Sequence, residues 1–189
     1  MNHNDAETLL NELSIYLNRF ALNLTNKEEE NISSIELDGE IETKVSVTGV
    51  IEEVGAYYFG YSKDKSIRRL ILGVSINLQT NRADILLIAT RGDTNAHPNL
   101  FGNKGEGIGN PVLVARLLHL SISFFSETKV TEIINSPWNQ RLRLLYCSMG
   151  FKNGEIFALK DPQCIEMARE FISNRYESLK FERKDPPLP

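Results

Sequence analysis

From Asp5 to about Leu24 the apolar residues Leu9, Leu10, Leu13, Tyr16, Leu17 and Phe20 recur at steps of three and four. That spacing predicts a helix with one buried stripe. Lys27 to Asn31 interrupt it with charge, and the glutamates 28–30 read as a solvated connection. At Ile41 the period becomes two. Ile41, Val45 and Val47 alternate with polar residues as in a half-buried strand, and further β segments are predicted over Val50–Tyr61 and Leu70–Leu78. Gln79 to Arg82 supply turn residues. Ile85-Leu86-Leu87-Ile88-Ala89 is continuously apolar, which predicts a central strand covered on both faces.

The polar, Gly- and Asn-rich stretch from Thr90 to Gly109 is long for a plain connection, and such loops tend to carry function. Asn110-Pro111 then opens a helix running to about Phe125, apolar nearly all round. A short strand, Val130–Ile134, follows. Ser136-Pro137 repeats the helix-start signal, and this helix carries Leu142, Leu145, Tyr146 and Met149 on one face before Gly150 stops it. A last strand spans Glu155–Lys160, a last helix Pro162 to Leu179, and residues 181–189 read as a loose tail after a single domain of residues 1–180. The fold class is therefore mixed α+β: a mostly antiparallel sheet with flanking helices, in which the strand–helix–strand unit supplies one parallel pair.

Composition narrows the field. A length of 189 residues suits one core, and a formal charge of −4 with pI near 5.5 argues against a nucleic-acid partner. Arg116 and His119 interrupt the most apolar stretch, so no membrane span is expected, and no secretion signal opens the chain. Two cysteines, Cys147 and Cys164, make no disulfide framework and point to a reducing, cytoplasmic setting.

The densest chemistry lies in Lys104-Gly105-Glu106-Gly107-Ile108-Gly109-Asn110-Pro111. Three glycines in five residues let backbone amides converge, and the following helix start adds its free N–H groups, making an anion site suited to a phosphate or pyrophosphate. It is neither a P-loop, which needs Ser or Thr after Gly-Lys, nor a dinucleotide fingerprint, whose third glycine position holds Asn110. A glycine-rich loop that merely precedes a helix is the competing reading.

Lys104-x-x-Gly107-x-Gly109, followed by Asn139-x6-Tyr146-x3-Gly150-Phe151 with a strand between them, resembles the motif order of the GNAT superfamily of acyl-CoA N-acyltransferases. The resemblance covers roughly Asp84 to Phe151. It implies a twisted sheet whose central parallel strands, Ile85–Ala89 and Val130–Ile134, splay apart to admit the pantetheine arm of the co-substrate, acetyl-CoA or another acyl-CoA, with no metal. In that picture Lys104, Gly105, Glu106, Gly107, Ile108, Gly109 and Asn110 hold the pyrophosphate, Ile88, Ala89, Thr90 and Asn139 meet the pantetheine, and Tyr146 protonates the departing sulfur. Asp84 is the resembled general base, with Glu52, Glu53 and His97 as rivals. The acceptor is an amine on a small molecule, peptide or protein, and a homodimer is compatible. Tyr57, Tyr58, Phe59 and Tyr61 form an aromatic cluster that suits either a pocket or sheet packing. The chain departs from the pattern at Lys104, Asn110 and Pro111, in its long 91–103 loop and in lacking a helix pair between the first strands. A CoA- or phospholigand-binding module without transfer, and a structural or interaction protein, are the alternative readings.

Overall fold

The structure, a computed structural model, describes residues 1–22, 34–61, 68–90, 111–137, 140–176 and 181–183. Helix α1 (His3–Asn18) starts at Asn2, whose side chain accepts the amide of Asp5, and it buries Ala6, Leu10, Leu13 and Leu17. It ends at Arg19, so Phe20 belongs not to the helix but to strand β1 (Phe20–Leu22). Two short strands, β2 (Ser34–Leu37) and β3 (Glu42–Val45), replace the single one expected near Ile41. Val45 and Val47 are exposed rather than half-buried, because β3 lies at the sheet edge and leads into a tight turn with Gly49 at φ +82°.

Three long strands follow: β4 (Ile51–Tyr61), β5 (Arg68–Asn77) and β6 (Arg82–Thr90). The β5–β6 turn is held by Asn77, whose side-chain oxygen accepts from the amides of Gln79 and Thr80, and Asn81 takes φ +55°. Helix α2 (Pro111–Ser126) leads to β7 (Glu132–Asn135), helix α3 (Gln140–Ser148), β8 (Ile156–Ala158), helix α4 (Pro162–Tyr176) and β9 (Phe181–Arg183). The segment read as a loose tail thus begins with a strand, which pairs with β1.

Among the described residues the main sheet is seven-stranded and open, in the order β2-β4-β5-β6-β7-β8 with β3 also on β4. Every pairing in it is antiparallel except β6 with β7. The fold is therefore mixed α+β with a mostly antiparallel sheet.

Alternation sorts the strands onto two faces. Val54, Ala56 and Tyr58 of β4, Leu72, Val74 and Ile76 of β5, Ala83 and Ile85 of β6, Ile133 and Phe157 share one core with residues from all four helices. The helices lie in the lateral order α1, α2, α4, α3 over this inner face. Two polar contacts fix α1 there. The buried Tyr58 hydroxyl donates to the Leu10 carbonyl at 2.8 Å, and the Asn18 amide pairs with the backbone N–H and C=O of Ile35 on β2. On the outer face Phe59, Ile71 and Ala89 form a second cluster with Tyr57, Tyr61 and Leu87. The aromatic cluster read from the sequence is therefore split, with Tyr58 inside and the other three outside.

No helix among the described residues is long and apolar enough to cross a membrane.

Candidate functional site: a fork between two parallel strands

Parallel pairing of β6 with β7 runs from Arg82↔Glu132 to Ile85↔Asn135 and stops there. Strand β6 continues to Thr90, with no strand beside it on that side among the described residues. Leu86–Ala89 thus present a main-chain edge that no described strand pairs on the β7 side, and buried main-chain polar groups are nearly always paired. Ile88, Ala89 and Thr90, expected from the sequence to meet an elongated ligand, all lie beyond the last pair.

The fork has a cause in β6 itself. Against β5, Gly73 pairs with Leu87 and Val74 with Ile85, so Leu86 is an extra residue. Such a bulge bends and twists the strand that carries it, and here it falls at the first residue past the β7 pairing. It also corrects the expectation that Ile85–Ala89 is covered on both faces. Leu86 is 50 % exposed, and the apolar run records a bulge that sends Leu86 and Leu87 towards the same side.

Tyr146 closes the fork from the inner side. It is 4 % exposed, and its ring sits in a stack with Phe151 (5.6 Å between centroids), which in turn meets Phe157 of β8 (5.2 Å). Its hydroxyl is hydrogen-bonded with the side chain of Asn135, the residue that ends the β7 pairing, itself 6 % exposed. Burial pushes the phenol up to about 12, outweighing the opposite pull of Asn135, so it is a protonated donor throughout the neutral range. Asn135 was not singled out from the sequence. Its signal was there: in Glu132-Ile133-Ile134-Asn135 it shares the inward parity of Ile133, an unusual place for an amide unless something uses it.

Asp84 lies elsewhere. It sits between the inward-facing Ala83 and Ile85, so its carboxylate is on the outer face, across the sheet from Tyr146. Arg82 grips it at two points, Nε at 2.8 Å and a terminal nitrogen at 3.1 Å. Donating to the Asp84 carboxylate pushes the Arg82 guanidinium up, with burial opposing. Glu53 is also ion-paired, with Lys44 at 3.5 Å, and Glu52 lies beside it on β4, so neither shares the fork with Tyr146. The structure therefore brings Tyr146 together with Asn135 and places Ile88 in the same inner core, whereas Ala89 belongs to the outer cluster and Asp84 and Glu53 are held in ion pairs away from Tyr146. Lys104, Gly105, Glu106, Gly107, Ile108, Gly109 and Asn110, with His97 and Asn139, lie outside the described residues. Among the described residues no group of three His, Cys, Asp or Glu side chains is arranged to hold a metal ion.

Chemically, the fork sets one buried, un-ionised phenol, through Asn135, beside the point where the strand pairing ends. No protein-family model, curated protein or solved structure matches the chain.

Proposed function

We propose that the protein is a GNAT-like N-acyltransferase, moving an acyl group, acetyl in the simplest case, from acyl-CoA to a primary amine. The observation that carries this reading is the opening of the β6–β7 pair at Ile85 and Asn135 with the Tyr146 hydroxyl at its apex. The order of glycine turn, strand, Asn139 and Tyr146 along the chain supports it independently.

A pantetheine arm carries two amides, and the edge of Leu86–Ala89, which no described strand pairs on the β7 side, offers complementary groups to both. The amine nitrogen attacks the thioester carbonyl, the tetrahedral centre collapses, the C–S bond breaks with its electron pair on sulfur, and the extra proton on nitrogen passes to solvent water. Tyr146 donates a hydrogen bond to that sulfur as charge develops. The amine must arrive neutral, because its reference pKa is about 10.4. Asp84, ion-paired with Arg82 along the outer face of the same strand, is assigned a structural role rather than that of removing the proton.

The test is incubation of the whole chain with acetyl-CoA and a panel of polyamines, amino acids, aminoglycosides and peptides, recording free thiol. Amine-dependent thiol release is expected. CoA binding without release from any amine would overturn transfer and leave a binding module; no CoA binding would overturn the reading altogether.

A further inference from the structure

Strand β3 leaves one edge of the main sheet open. It pairs with β4 on one side and, among the described residues, with no strand on the other. All four of its residues, Glu42, Thr43, Lys44 and Val45, are exposed. The direction of its main-chain groups follows from the hairpin, where the Ser46 amide donates to the Val50 carbonyl at 2.8 Å. These groups alternate in direction along a strand, so Ser46, Lys44 and Glu42 turn theirs towards β4, while Val45, Thr43 and Ile41 turn theirs outwards. The register slip at Lys44 and Val45 leaves this alternation intact, because the extra residue, Glu52, is on β4.

An exposed edge is a template for pairing with another strand, and here the side chains select which one. Read about Thr43, the stretch Ile41-Glu42-Thr43-Lys44-Val45 is complementary to its own reverse. Laid antiparallel on a second copy with Thr43 opposite Thr43, it sets Glu42 opposite Lys44 and Ile41 opposite Val45, each of them twice. The charged pairs then occupy the positions without main-chain hydrogen bonds, where cross-strand side chains approach most closely. A slip of one residue in either direction sets an apolar residue against a charge instead. Both charges are available. Glu42 has no ion-pair partner among the described residues. The Lys44 side chain is 67 % exposed and 3.5 Å from Glu53, and its ammonium has donors for a second carboxylate. Ile41 packs at the rim of the inner core, and Val45, on the same side of the strand, is half exposed and lacks an apolar cover.

We infer that β3 is the contact through which two copies of this chain associate, about a twofold axis at Thr43, joining two seven-stranded sheets into one. The inference is independent of the acyltransferase reading. A single pair of short strands lies at the small end of specific interfaces, so association is weak and depends on concentration. The contact is self-complementary and consumes the edge in both copies, so it closes at two chains.

Sedimentation equilibrium of the full chain from about 10 µM to about 1 mM should show the mass rising from one chain towards two and stopping there. Glu42→Lys sets like charges opposite each other at both symmetric positions and should weaken association about tenfold, as should Lys44→Glu. Combining the two swaps restores the complementarity and should recover association to within about threefold of the parent. Thr43→Pro removes an amide that points away from β4, so it should abolish association while the melting curve stays near that of the parent. A single-chain mass at every concentration, or a double swap as weak as the single variants, would overturn the inference. Undiminished association by Thr43→Pro would overturn it too, and so would a mass climbing past two chains, which marks pairing between unlike edges. If Thr43→Pro melts early, the charge swaps, made at exposed positions, decide. None of these readings involves CoA or thiol release, so their outcome and that of the transfer assay are separate.

Discussion

Replacing Tyr146 by Phe removes one oxygen and leaves the aromatic stack with Phe151 in place. With the phenol at about 12 and a free thiol near 8.5, complete proton transfer from phenol to thiolate runs uphill by about 5 kcal/mol. A thiolate in the same buried setting is also raised, which narrows that gap without closing it. The phenol therefore acts as a hydrogen-bond donor to the developing charge more than as a full proton source. Removing one such donor from a buried site lowers kcat by about 10²- to 10³-fold. The cost to the fold is smaller: the Asn135 amide loses one partner, about 1 kcal/mol, which for a chain of this size lowers Tm by about 2–4 °C. CoA affinity should stay within about twofold, because ground-state binding does not need the donor. Thiol-release kinetics and calorimetry on the same preparation check all three. A kcat for Tyr146→Phe equal to that of the parent would refute the reasoning, and so would a loss carried wholly in KM.

Asp84→Asn should lower Tm by a few degrees, an ion-pair loss of about 1 kcal/mol, yet leave kcat within about threefold; a hundredfold fall with a flattened pH profile would restore Asp84 as the base. Tyr58→Phe should cost about 1 kcal/mol in denaturant unfolding by leaving the Leu10 carbonyl without its partner, with acyl transfer untouched. Burial raises the phenols of both Tyr58 and Tyr146 above the unfolded value of about 10. The folded state therefore holds protons that the unfolded chain has released, so this stabilisation is complete below about pH 10 and is lost as pH climbs through the folded values. Tyr146 accounts for about 3 kcal/mol of that loss by pH 12; alkaline melts of Tyr146→Phe should be flatter than those of the parent, and parallel curves would contradict the burial argument. Gly154→Ala should destabilise by about 2 kcal/mol or more, since its φ is +76° and the new Cβ would fall 3.0 Å from the Arg143 carbonyl oxygen.

Much of this was legible as pattern. The three- and four-residue stripe of α1 and the alternation of Leu70, Leu72, Val74 and Ile76 marked their inner faces correctly, because burial repeats with the backbone period. The parallel β6–β7 pair followed from one helix lying between two strands. Edge strands were harder: β2 and β3 are short, and exposed Val45 and Val47 imitate a buried face. The bulge was illegible, since an inserted residue inside an apolar run changes no periodicity that a run of leucines and isoleucines can display. The ion pair of Asp84 was illegible for a related reason. Sequence fixes its distance from Ile85 but not which guanidinium will hold it, and Arg82, two residues back on the same face, was overlooked.

The opening between β6 and β7 depends on residue count as much as on residue type. Point substitutions at Leu86 leave the branching of the strands alone. Deleting that one position would instead bring the strand back into step with its neighbour, with Leu87 still opposite Gly73 but the bend removed, and threaten to heal the split. Variation in this lineage should therefore be free in chemistry at position 86 and intolerant of a change in length there.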